Sequence, residues 1–114
     1  MEFSEVKIEI YIPEQHIELL RNKLNEVHAC HVGNYDQVIS ITKITGYFRP
    51  LQGSDPFTGT EGKISVEEEC KFEVRCKKEH VKAAISVIKD VHPYETPVIN
   101  IIPLLNELYE QSES

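Results

Sequence analysis

The chain is 114 residues long, with 40% AVILMFWYC residues, 27% charged residues and a formal net charge of −7. A chain of that size suits one compact domain that buries about two thirds of its unfolded surface, and its apolar content argues against wholesale disorder. An isoelectric point of about 5.2 without any lysine or arginine block argues against nucleic acid or an anionic membrane as partner, because phosphate binding needs clustered cations. No stretch approaches the ~20 apolar residues of a membrane span, and the opening MEFSEVKIEI alternates in place of a basic flank and apolar signal core, so a cytoplasmic location is expected. Cys30, Cys70 and Cys76 form no CxxC pair and are odd in number, which predicts buried free thiols.

Val6, Ile8, Ile10 and Ile12 alternate with Lys7, Glu9 and Tyr11, the period-two signature of a strand with one face on a core. Pro13 stops ladder pairing and is tolerated in a first helical turn. Beyond it Ile17, Leu20, Leu24 and Val27 recur at three- and four-residue steps and predict a helix of about four turns. Gly33-Asn34 reads as a left-handed turn, and Gln37 to Thr42 as a second strand.

The segment 43–66 holds Gly46, Pro50, Gly53, Pro56, Gly59 and Gly62, and is too long for a plain connection. A short extra hairpin around Tyr47 to Arg49 is expected within it. The three acidic residues Glu67, Glu68 and Glu69 read as a solvated strand entrance. Then the opening pattern returns: Cys70, Phe72, Val74 and Cys76 alternate, and Val81, Ala84, Ile88 and Val91 form a second helical stripe. Each position lies 64 residues beyond its counterpart (72 − 8, 81 − 17, 88 − 24, 91 − 27), and the same offset superposes His16 on His80 and His28 on His92. An ungapped match across strand and helix together marks two copies of one unit. A strand from Pro97 to Ile102 completes the second copy, and residues 103–109 read as a short terminal helix.

Two strand–helix–strand copies (about 5–42 and 67–103) make a βαββαβ chain. Its economical solution is an α+β, ferredoxin-like sandwich, a mostly antiparallel four-stranded sheet with both helices on one face. One domain spanning 1–110 is expected, with 111–114 fraying. The open sheet face would carry Lys7, Glu9, Tyr11, Lys71, Glu73 and Arg75, amphipathic enough to meet either water or a second subunit.

Three segments could carry chemistry. His92-Pro93-Tyr94-Glu95-Thr96-Pro97 joins an imidazole, a phenol and a carboxylate between stiffening prolines; it reads either as a ligand platform or as a helix-ending turn. His28, Cys30 and His31 are close enough to share a zinc or copper ion if the backbone turns there, or the histidines cap the first helix. Arg49 sits beside Tyr47 and Phe48 as a candidate anion contact, or packs on an aromatic ring or a carboxylate. No nucleophile elbow, HExxH, EF-hand or nucleotide-binding glycine motif is present, which leaves a non-catalytic binding module.

YIPEQHIELLRNKLNE, GNYD, GYFRPLQGSDPFTGTEGK and HPYETPVINIIPLL together resemble the small domain inserted in bacterial NIF-three-like proteins (the NGG-one-interacting-factor-three family). HPYExP also resembles the corresponding end of CutA divalent-cation-tolerance proteins, which share the fold and trimeric architecture of PII signalling proteins. The resemblance implies a PII/CutA-like domain, here expected to stand alone, that assembles through its sheets, with a trimer favoured over a dimer. It places Gly33, Asn34, Tyr35, Asp36, Arg49, His92, Tyr94 and Glu95 at family-like positions as candidate ligand-binding residues. Gln37 and Val38 stand where relatives often carry His-Cys, which weakens a metal role for that turn. The candidate ligand is a small anion, a metabolite or a divalent metal ion. A metal-dependent hydrolase, by association with full-length relatives, and a purely structural interaction module are the alternatives.

Overall fold

A computed structural model describes residues 2–110; the expected fray at 111–114 lies outside the described residues. Strand β1 (Glu5–Ile12) leads through a 3-10 turn (Glu14–His16) into helix α1 (Ile17–Glu26). After a loop come β2 (Ser40–Phe48) and β3 (Ser65–Lys77). A second 3-10 turn (Lys78–His80), helix α2 (Val81–Val91), β4 (Ile99–Leu104) and a 3-10 turn (Asn106–Leu108) complete the order. The strands form one sheet in the order β2-β3-β1-β4 with every pair antiparallel, the ferredoxin-like α+β arrangement.

The 64-residue repeat is exact for the helical layer's beginnings: 14 + 64 = 78 starts the second 3-10 turn and 17 + 64 = 81 starts the second helix. Alternation along β1 and β3 puts Val6, Ile8, Ile10 and Ile12 with Cys70, Phe72, Val74 and Cys76 on the helix side, all buried. Leu20 and Leu24 of α1 and Ala84 and Ile88 of α2 close over them. Each large apolar side chain in that layer contributes about 1.5–3 kcal/mol by leaving water. The opposite face carries Lys7, Glu9, Tyr11, Lys71, Glu73 and Arg75, as the period-two pattern requires, with neither α1 nor α2 over it.

Four expectations change. The second strand runs Ser40–Phe48, later and longer than Gln37 to Thr42, and pairs with β3 through Phe48↔Ser65. No extra hairpin therefore stands at Tyr47 to Arg49; β2 and β3 themselves project past β1 as a two-stranded arm, and residues 49–64 make its loop. The last strand also lies later than expected and includes Pro103, which the edge position allows. Tyr11 N–H donates to the Val98 carbonyl, so Val6↔Pro103, five steps away, is a non-hydrogen-bonded pair and the proline nitrogen faces outward. Among the described residues only Asn106–Leu108 then coils after it, as a single 3-10 turn, in place of the short terminal helix expected over 103–109.

At the Gly33-Asn34 turn, Gly33 alone takes the left-handed conformation (φ 57°); the neighbouring left-handed residues are His28 (φ 64°) and Gln37 (φ 59°). His28 is the residue at which α1 stops, with Ala29 N–H donating to the Leu24 carbonyl and His28 N–H to Asn25, the Schellman pattern. Its repeat partner His92 is extended instead (φ −68°, ψ 130°), because Pro93 follows and disfavours helical backbone before it. Equivalent histidines thus leave their helices in different directions, and this decides which one reaches the sheet.

Candidate ligand site at the end of the sheet

His92 is buried at 7% exposure, and its ring is fully committed. Nε2 lies 2.6 Å from the Tyr11 carbonyl, at the end of the β1–β4 ladder, and Tyr94 N–H donates to Nδ1 at 3.2 Å. A carbonyl can only accept and a backbone N–H only donate, so the ring is neutral with its proton on Nε2. Burial pushes the His92 pKa below the usual histidine value, opposed in part by the Tyr11 carbonyl. The imidazole is a strut that fixes the 92–98 segment across the end of β1.

On that strut the Tyr94 ring packs tilted against His92, 4.8 Å between centroids, and its hydroxyl donates to Glu69 Oε1 at 2.7 Å. Burial and the adjacent carboxylate raise the phenol pKa, which keeps it protonated as a donor. Glu95 Oε1 accepts from Asp55 N–H at 2.8 Å and so ties the long loop to this corner. Phe57, carried on that loop, lies 5.9 Å from the Tyr94 ring and 6.3 Å edge-on to His16. Gly62 N–H closes the loop's base on the Pro50 carbonyl, and Gly59 (φ 96°) passes where a Cβ would meet Ser65 Oγ and the Phe48 ring. Beneath the loop is a cavity of about 470 Å³, mainly apolar, lined among others by Tyr11, Phe48, Phe57, Tyr94, Glu69 and Glu95.

The candidate residues divide between two ends of the sheet. His92, Tyr94 and Glu95 gather here. Gly33, Asn34, Tyr35 and Asp36 form a tight turn, Val32 and Tyr35 exchanging backbone hydrogen bonds, docked on α1 where Asn25 donates to Asp36 and accepts from Gln37 N–H. That turn belongs with the far end of β1: His28 lies 5.5 Å from His80, next to the Glu5↔Lys77 pair. At about 3.3 Å per residue, the Val6 and Tyr11 ends are about 16 Å apart. Within one chain these residues form two places, not one.

Arg49 is exposed and does not line the cavity, whose charged lining residues are Glu69 and Glu95, so the expectation of a bound anion does not suit it. The trio of His28, Cys30 and His31 does not fit a metal ion either. Cys30 turns fully into the core, its thiol pushed up to about 12 by burial, while both histidines stay at the surface 5.5 Å apart. No grouping of three His, Cys, Asp or Glu side chains suited to a metal occurs among the described residues. Glu69, read as part of a solvated strand entrance, is instead the partner of Tyr94. Nothing in the residue spacing marks Tyr11, Phe48 and Phe57 as site residues, because their convergence depends on how a long loop folds back.

The CutA1 divalent ion tolerance protein family model matches residues 59–111. The GTP cyclohydrolase 1 type 2 homolog of Halalkalibacterium halodurans is 33% identical over 101 residues, covering 89% of this chain and 27% of that protein. Its Bacillus subtilis counterpart is 32% identical over 98 residues, 86% of this chain and 26% of that protein. A Bacillus cereus protein related to NIF3 superposes with a TM-score of 0.79 at 27% identity, over 91% of this chain and 26% of that one. The chain is related to one domain-sized stretch of NIF3-type proteins. It spans about a quarter of the length of the curated relatives it matches. The CutA1 protein of Ehrlichia chaffeensis shares the fold, with a TM-score of 0.68 at 20% identity over 93% of this chain and 86% of that one. Both resemblances expected from the motifs are therefore found, and the fold is CutA-like.

Proposed function

We propose that the chain is a non-catalytic, cytoplasmic module that assembles with copies of itself, a trimer favoured over a dimer, and senses a small ligand held at the end of the sheet. The observation that carries this reading is the helix-free sheet face. Lys7, Glu9, Tyr11, Lys71, Glu73 and Arg75 are half-buried there even in a single chain, and all of the named charges but Lys71 are paired: Lys7 reaches Glu73 at 2.9 Å and Glu9 at 3.2 Å, and Arg75 reaches Glu5 at 3.0 Å. Ions already paired on a face can be covered without leaving those charges unpaired, the most costly form of buried charge, and a four-stranded sheet offers the ~800 Å² per partner of a standard interface. The projecting arm adds Tyr47, Ile64 and Val66, which are large, apolar and exposed.

Native mass spectrometry before and after chelation tests the proposal. A trimer carrying a reproducible extra mass supports it, and a bare monomer refutes the sheet-packing argument. A second reading follows from relatives named GTP cyclohydrolase 1 type 2 homologs: a hydrolase activity shared with the rest of such proteins. It requires GTP turnover that a chelator abolishes; a chain without turnover removes it.

A further inference from the structure

We propose that the cavity at the end of the sheet binds a small organic cation: an amine or quaternary ammonium group on an apolar body. The inference rests on the reading that this corner takes a ligand, and adds the ligand's chemical class. Its volume, about 470 Å³, falls within the range of about 300–1,000 Å³ common for small-molecule sites. Aromatic rings come from four separate places in the chain: Tyr11 from β1, Phe48 from β2, Phe57 from the loop and Tyr94 from the strut. A ring's face carries partial negative charge, so several rings around one space favour a cation over a neutral or anionic guest.

The charged groups agree with the rings. Glu69 and Glu95 line the cavity, and no lysine, arginine or histidine does among the described residues. Neither carboxylate is neutralised by an ion pair among those residues; Tyr94 O–H and Asp55 N–H orient them without cancelling their charge. Lys43 lies in the adjoining groove beside Glu14, 3.9 Å from its carboxylate, and Lys71, paired across the sheet with Tyr11, is not among the lining residues. Both acidic groups are therefore held in place and still lack a counter-ion, a preorganised arrangement that lowers the ordering cost of binding. The same contacts pin the roof: Asp55 is anchored by Glu95, and Gly62 by Pro50.

The test is a titration of the ¹⁵N-labelled chain with benzyltrimethylammonium and, separately, with benzenesulfonate, followed by amide chemical shifts. Saturable shifts at Thr45, Gly46, Tyr94 and Thr96 are expected with the cation, and at least tenfold weaker binding of the anion. Glu69→Gln keeps an acceptor for Tyr94 O–H, and Glu95→Gln changes an exposed residue. Each should weaken the cation at least threefold, as should Phe57→Leu, which keeps apolar bulk but loses the ring. Equal or tighter benzenesulfonate binding, shifts confined to other residues, or unchanged affinity in both Gln variants overturns the proposal. If Glu69→Gln fails to fold, Glu95→Gln and Phe57→Leu decide. Native mass measured on the same samples separates the two ideas: an assembled protein that ignores the cation sinks this inference alone, whereas a monomer that binds it sinks only the assembly.

Discussion

Replacing His92 with phenylalanine preserves a planar ring of similar size and removes both of its polar contacts. Tyr11 loses a donor at 2.6 Å, at a carbonyl that sits where the β1–β4 ladder runs out, and Tyr94 N–H loses an acceptor at 3.2 Å. A buried group left unpaired costs about 1–3 kcal/mol, so taking about 2 for the short contact and about 1 for the long one gives a loss of about 3 kcal/mol. That is a large part of the ~5–15 kcal/mol available to a domain of this size and corresponds to a fall in Tm of about 12 °C. The pH dependence is the sharper test. The folded-state pKa of His92 is depressed by burial, so its contribution is present above the unfolded value near 6.5 and is lost as pH falls from there toward the folded value. Urea unfolding of both proteins by circular dichroism, at one protein concentration and at pH 7.5 and 5.0, measures this directly. The other histidines are common to both proteins, so to first order the difference reports His92. A difference below 1 kcal/mol at pH 7.5, or one undiminished at pH 5.0, would refute the strut and its neutral tautomer.

Three further outcomes are expected. Glu9 and Glu73 face each other directly across β1 and β3, and Lys7 bridges them; the hydrogen bond from Lys7 is the main cause of a lowered Glu73 pKa. Lys7→Met should move that pKa upward in a carboxyl NMR titration, so that Glu73 begins to protonate at a higher pH than in the unsubstituted chain; an unmoved titration contradicts the bridge. Gly59→Ala places a methyl against Ser65 Oγ and the Phe48 ring at a left-handed φ, a cost of about 1–3 kcal/mol borne by the loop, and limited proteolysis should cut within 50–62 faster than in the unsubstituted protein. All three cysteines are buried, with Cys30 and Cys76 pushed up to about 12 and about 11 by burial and Cys70 raised as well, so a thiol reagent at pH 8 should label none before denaturant and three after it.

The repeated strand and helix were legible because their side chains face one shared core. Val6 to Ile12 and Cys70 to Cys76 must alternate, and the helical stripes must return every three or four residues. The outer strands escaped that logic. Strand β2 is exposed along most of its length, so nothing in SITKITGYF records which residues pair, and the turn glycine Gly46 sits inside it. Strand β4 carries Pro103, a residue that reads as a breaker until its outward-facing edge position is known. At the site, the prolines around His92 made the segment conspicuous, and the structure shows it ending α2 and crossing to the end of β1. Glu69 and Phe57 lie 25 and 37 residues away from Tyr94 in sequence (94 − 69, 94 − 57), the first on β3 where it projects past β1 and the second on a loop whose course no periodicity encodes. The metal trio failed for a similar reason: three ligating types in four residues say nothing of which way Cys30 points.

The interleaving of the two copies bears on how the chain reaches this structure. Strand β1, which precedes the other elements of this fold in chain order, has as neighbours β3 and β4, both from the second half of the sequence. Its partners in pairing begin with Cys70, so the first copy cannot satisfy its central strand from within itself. Duplication has therefore produced a sequence repeat without producing a folding unit. Cutting the chain between its copies should leave two unfolded fragments, and folding must wait for contacts that span most of the domain, which places it among the slower small proteins and leaves an apolar strand without a partner until the second copy has been made.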